Sequence, residues 1–279
     1  MAKTVTRKAR SYDPAKVRVA LAAETEALRQ AVHRLCGDAA AERLLAAPTR
    51  LGEWTVRDLV AHLALQLAWV PNHLDQPPAG RAALDLVGWV GGVGSLSELL
   101  DSGTRAYRAQ AFAGSPAEVA AEFDRAADAL AELLDGPEVR DEQRRFEIRL
   151  GSMTLSDMLV TRLVETVVHA DDLAAAVGLA DFSHDRFALA SVSRLLADAL
   201  AAQQPGAAVE LRVPPFAVVQ AVPGPRHTRG TPPNVVETDP LSWIRLATGR
   251  LDWSVAVDSA EVSASGERSD LSAFLPVLR

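Results

Sequence analysis

Two histidines and a glutamate stand out by their placement in a 279-residue chain that carries six histidines in all. His62 falls within Asp58-Leu-Val-Ala-His-Leu63, and His169 closes Val164-Glu-Thr-Val-Val-His169, four residues after Glu165. On a helix that spacing puts Glu165 and His169 one turn apart on one face, where a carboxylate oxygen and an imidazole nitrogen converge on one cation. With His62 arriving from a neighbouring helix, the set becomes two imidazoles and a carboxylate with a fourth position open. Those are the donors of a catalytic zinc site, and iron, nickel or manganese also fit them by ligand type. The spacing has a plainer reading as well. Arg162, Glu165, His169 and Asp172 lie opposite the apolar arc of Leu159, Val160, Leu163, Val164 and Val167, as on a solvated polar face.

Helices must position these residues. From Asp13 to about Asp181 the chain is rich in Ala, Leu, Glu and Arg at helical spacing, with few alternating β-branched runs. Pro14–Leu35, Thr55–Trp69, Pro116–Leu134 and Thr154–Val177 carry the pattern best, and four long amphipathic helices predict a bundle. Thr55 with Asp58 three residues on forms a variant capping box, and Gly178 suits the position just past a helix end. The glycine-rich run Gly88–Gly94 lacks a following Lys-Ser/Thr and a preceding strand, so it is not read as a phosphate loop.

After a further helical stretch, Asp185–Ala202, the pattern changes at Gln204-Pro-Gly206. Val209, Leu211 and Val213 alternate as a half-buried strand requires, and Trp253–Ser263 alternates again through Val255 and Val257. Between them Thr238-Asp239-Pro240 starts a short helix that passes Trp243 and Leu246 toward Gly249. The expected division is a disordered basic tail over 1–12, a helical unit over 13–181 and a mixed α/β unit over 182–279.

Composition narrows the partners. At 48% hydrophobic and 23% charged the chain is globular, and a net charge of −7 with a pI near 5.4 argues against nucleic-acid or anionic-membrane binding. Lys3, Arg7, Lys8 and Arg10 form a short basic tail, read as a solubilising terminus; DNA binding through it would demand strongly salt-dependent affinity. Cys36, the single cysteine, cannot form an intramolecular disulfide and reads as a small core residue rather than a nucleophile. No apolar run approaches the roughly 18 residues of a membrane span, and no signal-peptide core is seen near the N-terminus, so a cytoplasmic location is expected.

Three segments resemble known families. Leu51-Gly-Glu-Trp-Thr-Val-Arg-Asp-Leu-Val-Ala-His-Leu63 is similar to the N-terminal signature of the mycothiol-dependent maleylpyruvate isomerase family, in which a tryptophan turn leads into a helix bearing a metal-binding histidine. Asp157-Met-Leu-Val-Thr-Arg-Leu-Val-Glu-Thr-Val-Val-His-Ala-Asp-Asp-Leu173 is similar to the family's second signature, whose helix supplies a glutamate and a histidine. Thr238-Asp-Pro-Leu-Ser-Trp-Ile-Arg-Leu-Ala-Thr-Gly-Arg250 resembles bacterial sterol-carrier-like domains. Together the resemblances cover nearly the whole chain beyond the basic tail.

The resemblance implies an α+β two-domain fold, with an N-terminal DinB-like four-helix bundle and a small C-terminal α/β sterol-carrier-like domain. It implies zinc held by His62, Glu165 and His169, and mycothiol as thiol cofactor. Asp172 orients a ligand or is simply solvated, and Arg250 is the counterpart of the family's catalytic arginine or a surface residue after a helix end. The chemistry implied is addition of a thiolate to a small electrophilic substrate, giving isomerisation or thiol transfer. The chain departs from the isomerase in a longer C-terminal portion with proline-rich turns at Pro214, Pro223 and Pro232. An alternative from another class is a non-catalytic module in which the sterol-carrier-like domain takes an apolar ligand along Val209, Leu211, Val213, Phe216, Val255 and Val257.

Overall fold

Asp13 accepts from the backbone N–H groups of Ala15 and Lys16 and starts α1 (Pro14–Gly37), a helix with proline in its first turn. The computed structural model describes residues 10–77, 80–179, 182–224 and 233–279. A short α2 (Ala41–Leu45) follows, and α3 (Val56–Ala68) opens with the expected capping box: Thr55 N donates to Asp58 Oδ2 at 2.9 Å and Asp58 N to Thr55 Oγ1 at 3.3 Å. The glycine-rich segment forms α4 (Leu86–Gly92) and a 3₁₀ turn leading into α5 (Ser97–Ala111). Ser115 and Glu118 build a second capping box for α6 (Pro116–Asp135).

An antiparallel hairpin, β1 (Arg145–Ile148) and β2 (Gly151–Thr154), feeds directly into α7 (Leu155–Val177). Gly178 ends α7 at φ +67°, a left-handed conformation that costs glycine little. The four expected long helices are thus present, and they pack on one another: α1 against α6 and α7, α3 against α6 and α7. α5 closes over α3 on the side that carries His62. Leu28, Val32, Leu63, Phe123, Leu130, Leu163 and Val167 fill the space between them.

α8 (Arg186–Gln203) opens the second unit and packs back on α1, α4 and α7. The unit's sheet comprises β3 (Val209–Val213), β4 (Ala217–Ala221), β5 (Val235–Thr238) and β6 (Val262–Ser265) in the order β4-β3-β5-β6, with β3 antiparallel to β4 and parallel to β5. Val209, Leu211 and Val213 point inward while Glu210 and Arg212 are half-buried, as the alternation predicts. α9 (Pro240–Ala247) is capped by Asp239 and packs on α8, with the Trp243 indole donating to Ser193 O at 3.1 Å. The two-unit layout of helices followed by a small mixed sheet is the fold class expected.

The segment after Trp253 departs from expectation. It is helical, α10 (Trp253–Asp258), and the strand β6 starts only at Val262 and runs to Ser265, antiparallel to β5. Asp252 captures the N–H groups of Ser254 and Val255 at 2.8 and 3.4 Å, which nucleates a turn of helix. Ala256 is then the buried residue, while Val255 and Val257 are 54% and 38% exposed, so they do not line an apolar core.

Of the basic tail, residues 1–9 lie outside the described residues. Arg10 meets Asp198, with Nε 2.7 Å from Oδ2, and Tyr12 packs against the core. Among the described residues no helix is long and apolar enough to cross a membrane.

Candidate metal centre

α3 and α7 cross so that the two histidines and the glutamate of the sequence pattern meet. His62 Nε2 lies 3.3 Å and His169 Nε2 3.4 Å from the same atom, Glu165 Oε2, and the three donor atoms lie within 4.8 Å of one another. The imidazole rings stand edge to face, 4.8 Å between centroids. A solvated polar face does not describe α7: Arg162 is 6% and Asp172 0% exposed, and the Glu165 and His169 side chains are 14% and 13% exposed.

Each histidine is held at its other nitrogen. His169 Nδ1 lies 2.8 Å from Asp172 Oδ2, and His62 Nδ1 lies 3.0 Å from Thr104 Oγ1 on α5. The Asp172 carboxylate only accepts, so it fixes the proton of a neutral His169 on Nδ1 and leaves the Nε2 lone pair for a cation. Burial disfavours charge on both imidazoles. For His62 burial prevails and its pKa falls below the ordinary value; at His169 the bonds to Asp172 and Glu165 outweigh burial and raise it. Burial pushes Glu165 up, but the two histidines draw it well below the usual carboxylate range.

The donor chemistry fits a divalent ion. Two ligands of a tetrahedral zinc at about 2.05 Å are separated by about 3.3 Å, close to both histidine–glutamate separations found here. A cleft of about 320 Å³ opens beside the three residues, walled by Trp54, Leu100, Val168 and Arg250 among others. Trp54 leans on His62 with 5.0 Å between ring centroids and is steadied by its indole N–H on Asp101 at 2.6 Å.

Arg250 sits in this cleft wall and clasps Asp172 with Nε and Nη2 at 3.2 and 3.0 Å, while Nη1 donates to Thr248 O at 2.7 Å. Arg50 reaches Asp172 from the other side at 2.5 Å and also pairs with Asp171, which Arg245 holds at 2.5 Å. Arg50, Arg245 and Thr104 are partners that sequence reading misses. Thr104 lies on a mostly polar helix and is its buried residue, and the arginines stand 122 and 74 residues from their acids. Cys36 is half-buried beside Asp38, Glu42 and Pro116 and lines no part of the cleft.

The family model for the mycothiol maleylpyruvate isomerase N-terminal domain matches residues 21–174, which hold all three donors. The chain belongs to that family. A second family model, the bacterial sterol-carrier-protein ortholog, matches residues 185–277. The fold of this maleylpyruvate isomerase family member is similar to the crystal structure of the mycothiol-dependent maleylpyruvate isomerase, with a TM-score of 0.60 at 17% identity over 91% of this chain and 93% of that one. A histidine-to-alanine mutant of that enzyme gives a TM-score of 0.59 with the same coverage. A search among curated protein sequences finds no match.

Proposed function

We propose that the chain is a metal-dependent, mycothiol-dependent enzyme that isomerises, or transfers the thiol to, a small electrophilic substrate of the maleylpyruvate type. The observation that carries this reading is the convergence of His62 Nε2, Glu165 Oε2 and His169 Nε2 within 4.8 Å on the wall of an open cleft. These three residues would hold the ion, with zinc the first candidate by donor type. When bound, such an ion lowers the pKa of a coordinated thiol, supplying a thiolate at neutral pH without any protein cysteine.

The protein's own groups have definable tasks in this reading. Asp172 and Thr104 orient the two imidazoles, and Trp54 and Leu100 give the cleft part of its apolar wall. Arg250, in the same wall, is assigned to steady a substrate carboxylate while its other bonds hold Asp172. The ligands come from the unit over 13–181 and Arg250 from the unit over 182–279, so the cleft draws on both.

Elemental analysis of the purified protein, beside His62→Ala and Glu165→Ala, tests the metal. About one ion per chain in the wild type and none in either variant is the expected result. A wild type that stays metal-free after zinc is offered sinks the reading. Thiol dependence is then checked by following conversion of maleylpyruvate with mycothiol present and withheld.

A further inference from the structure

The helical unit holds a second, larger cavity of about 690 Å³, bounded by α3, the α4–α5 connection, the β1–β2 turn and α7. Trp69, Trp89, Met158 and Arg162 belong to its wall, and it shares Val93, Leu100 and Glu165 with the metal cleft. Aromatic and aliphatic side chains line it together with Gln66, His73 and Glu165, the exposed Arg81, Glu147 and Arg149 stand at its mouth, and Arg162 is the buried cation of the wall. Arg162 is 6% exposed, donates to Gln66 Oε1, and reaches Thr161 Oγ1 from Nε and Nη2 at 3.3 and 3.2 Å. Its guanidinium carbon stands 5.9 Å from the Trp69 ring centroid.

All of those acceptors are neutral. Among the described residues Arg162 makes no ion pair, whereas Arg57, also buried, has Glu42 at 3.0 Å. Glu165, one turn on along α7, attracts Arg162 through space but directs its carboxylate to the two histidines. Arg81 at the cavity rim is already paired, with Glu147 at 2.7 Å. A desolvated guanidinium with only neutral partners is unfavourable until an anion completes its fork, and one N–H on each terminal nitrogen remains for that purpose.

We propose that this cavity binds a carboxylic acid with an apolar body, its carboxylate on Arg162 and its hydrocarbon or aryl portion along Trp89, Leu100 and Met158, the Trp69 ring being already stacked by His73 and overlaid by Arg162. The carboxylate is seated by Arg162 and not by a metal, although Glu165 of the three-donor cluster belongs to the same wall.

The test is calorimetric titration of 4-phenylbutyrate, and of its uncharged amide 4-phenylbutanamide, into the full-length protein before and after metal removal. The acid is expected to bind about tenfold or more tightly than the amide, with the preference unchanged by chelation. Arg162→Gln should erase the preference. Leu99→Trp, at a rim position 47% exposed, should weaken the acid several-fold without altering the melting temperature. If Arg162→Gln does not fold, the wild-type comparison and Leu99→Trp still decide. Equal affinity for acid and amide, no binding by the acid at millimolar concentration, or indifference of the acid to Leu99→Trp overturns the proposal. None of these outcomes depends on whether His62, Glu165 and His169 hold an ion.

Discussion

The buried carboxylate of Asp172 stands 2.8 Å from Nδ1 of His169, and the same side chain is gripped by Arg50 and Arg250 from opposite units of the fold. Burial alone would push Asp172 up; His169 and Arg250 more than offset it and keep it ionised throughout the working pH range. The orientation of one candidate ligand is therefore set by residues at sequence positions 50 and 250.

Removing this acid tests the arrangement. Asp172→Ala leaves two arginines facing a lost charge and frees His169, so stability should fall by about 3–5 kcal/mol in urea denaturation and zinc affinity by about 10- to 100-fold in competition titration. Asp172→Asn keeps an acceptor for Nδ1 and should restore part of the zinc affinity. Unchanged affinity in a folded Asp172→Ala protein rules out the orienting role.

Arg250 separates two roles by which quantity moves. If it touches substrate, Arg250→Ala lowers turnover on the order of a hundredfold while metal content stays near that of the wild type, because Arg50 still holds Asp172. If it only holds Asp172, zinc affinity falls in step with turnover, and Arg250→Lys recovers much of both. Steady-state kinetics beside metal analysis distinguishes them; the first pattern is expected.

In the sheet unit Trp243 is 1% exposed and hydrogen-bonded through its indole, so Trp243→Ala should cost about 3–5 kcal/mol. Trp253, half-buried at the start of α10, should cost clearly less on the same change. Equal losses in denaturant titrations would contradict the core described here.

Burial raises the Cys36 thiol to about 11. A group with a raised pKa stays protonated longer, so at pH 8 its thiolate fraction is roughly a hundredfold below that of an exposed cysteine. Iodoacetamide labelling followed by mass spectrometry should be slow at pH 8 and climb about tenfold per pH unit through pH 10. A rate that levels off near pH 9 would falsify this assignment.

Local chemistry explains what could be read without coordinates. Thr55 with Asp58, Gly178 and Asp239 mark helix ends because caps are formed by residues within a turn of each other. The glutamate and histidine of α7 are legible from their spacing, but placing His62 beside them took family resemblance, since crossing helices leave no trace in periodicity. Arg162 groups with a polar face by helical wheel and is in fact buried, because Gln66 on α3 receives it there. Val255 and Val257 imitate a strand; the Asp252 cap, two residues before Ser254, was the competing signal.

The arginine clasp also bears on how such chains can change through descent. Adjacent acids at 171 and 172 are matched by Arg245 and Arg250 across the seam, with Arg50 touching both. Replacing the C-terminal unit by a homologue lacking those two cations would strand buried charge beside the histidine. The halves are therefore expected to be inherited together, with substitutions at one pair surviving only when the facing position compensates.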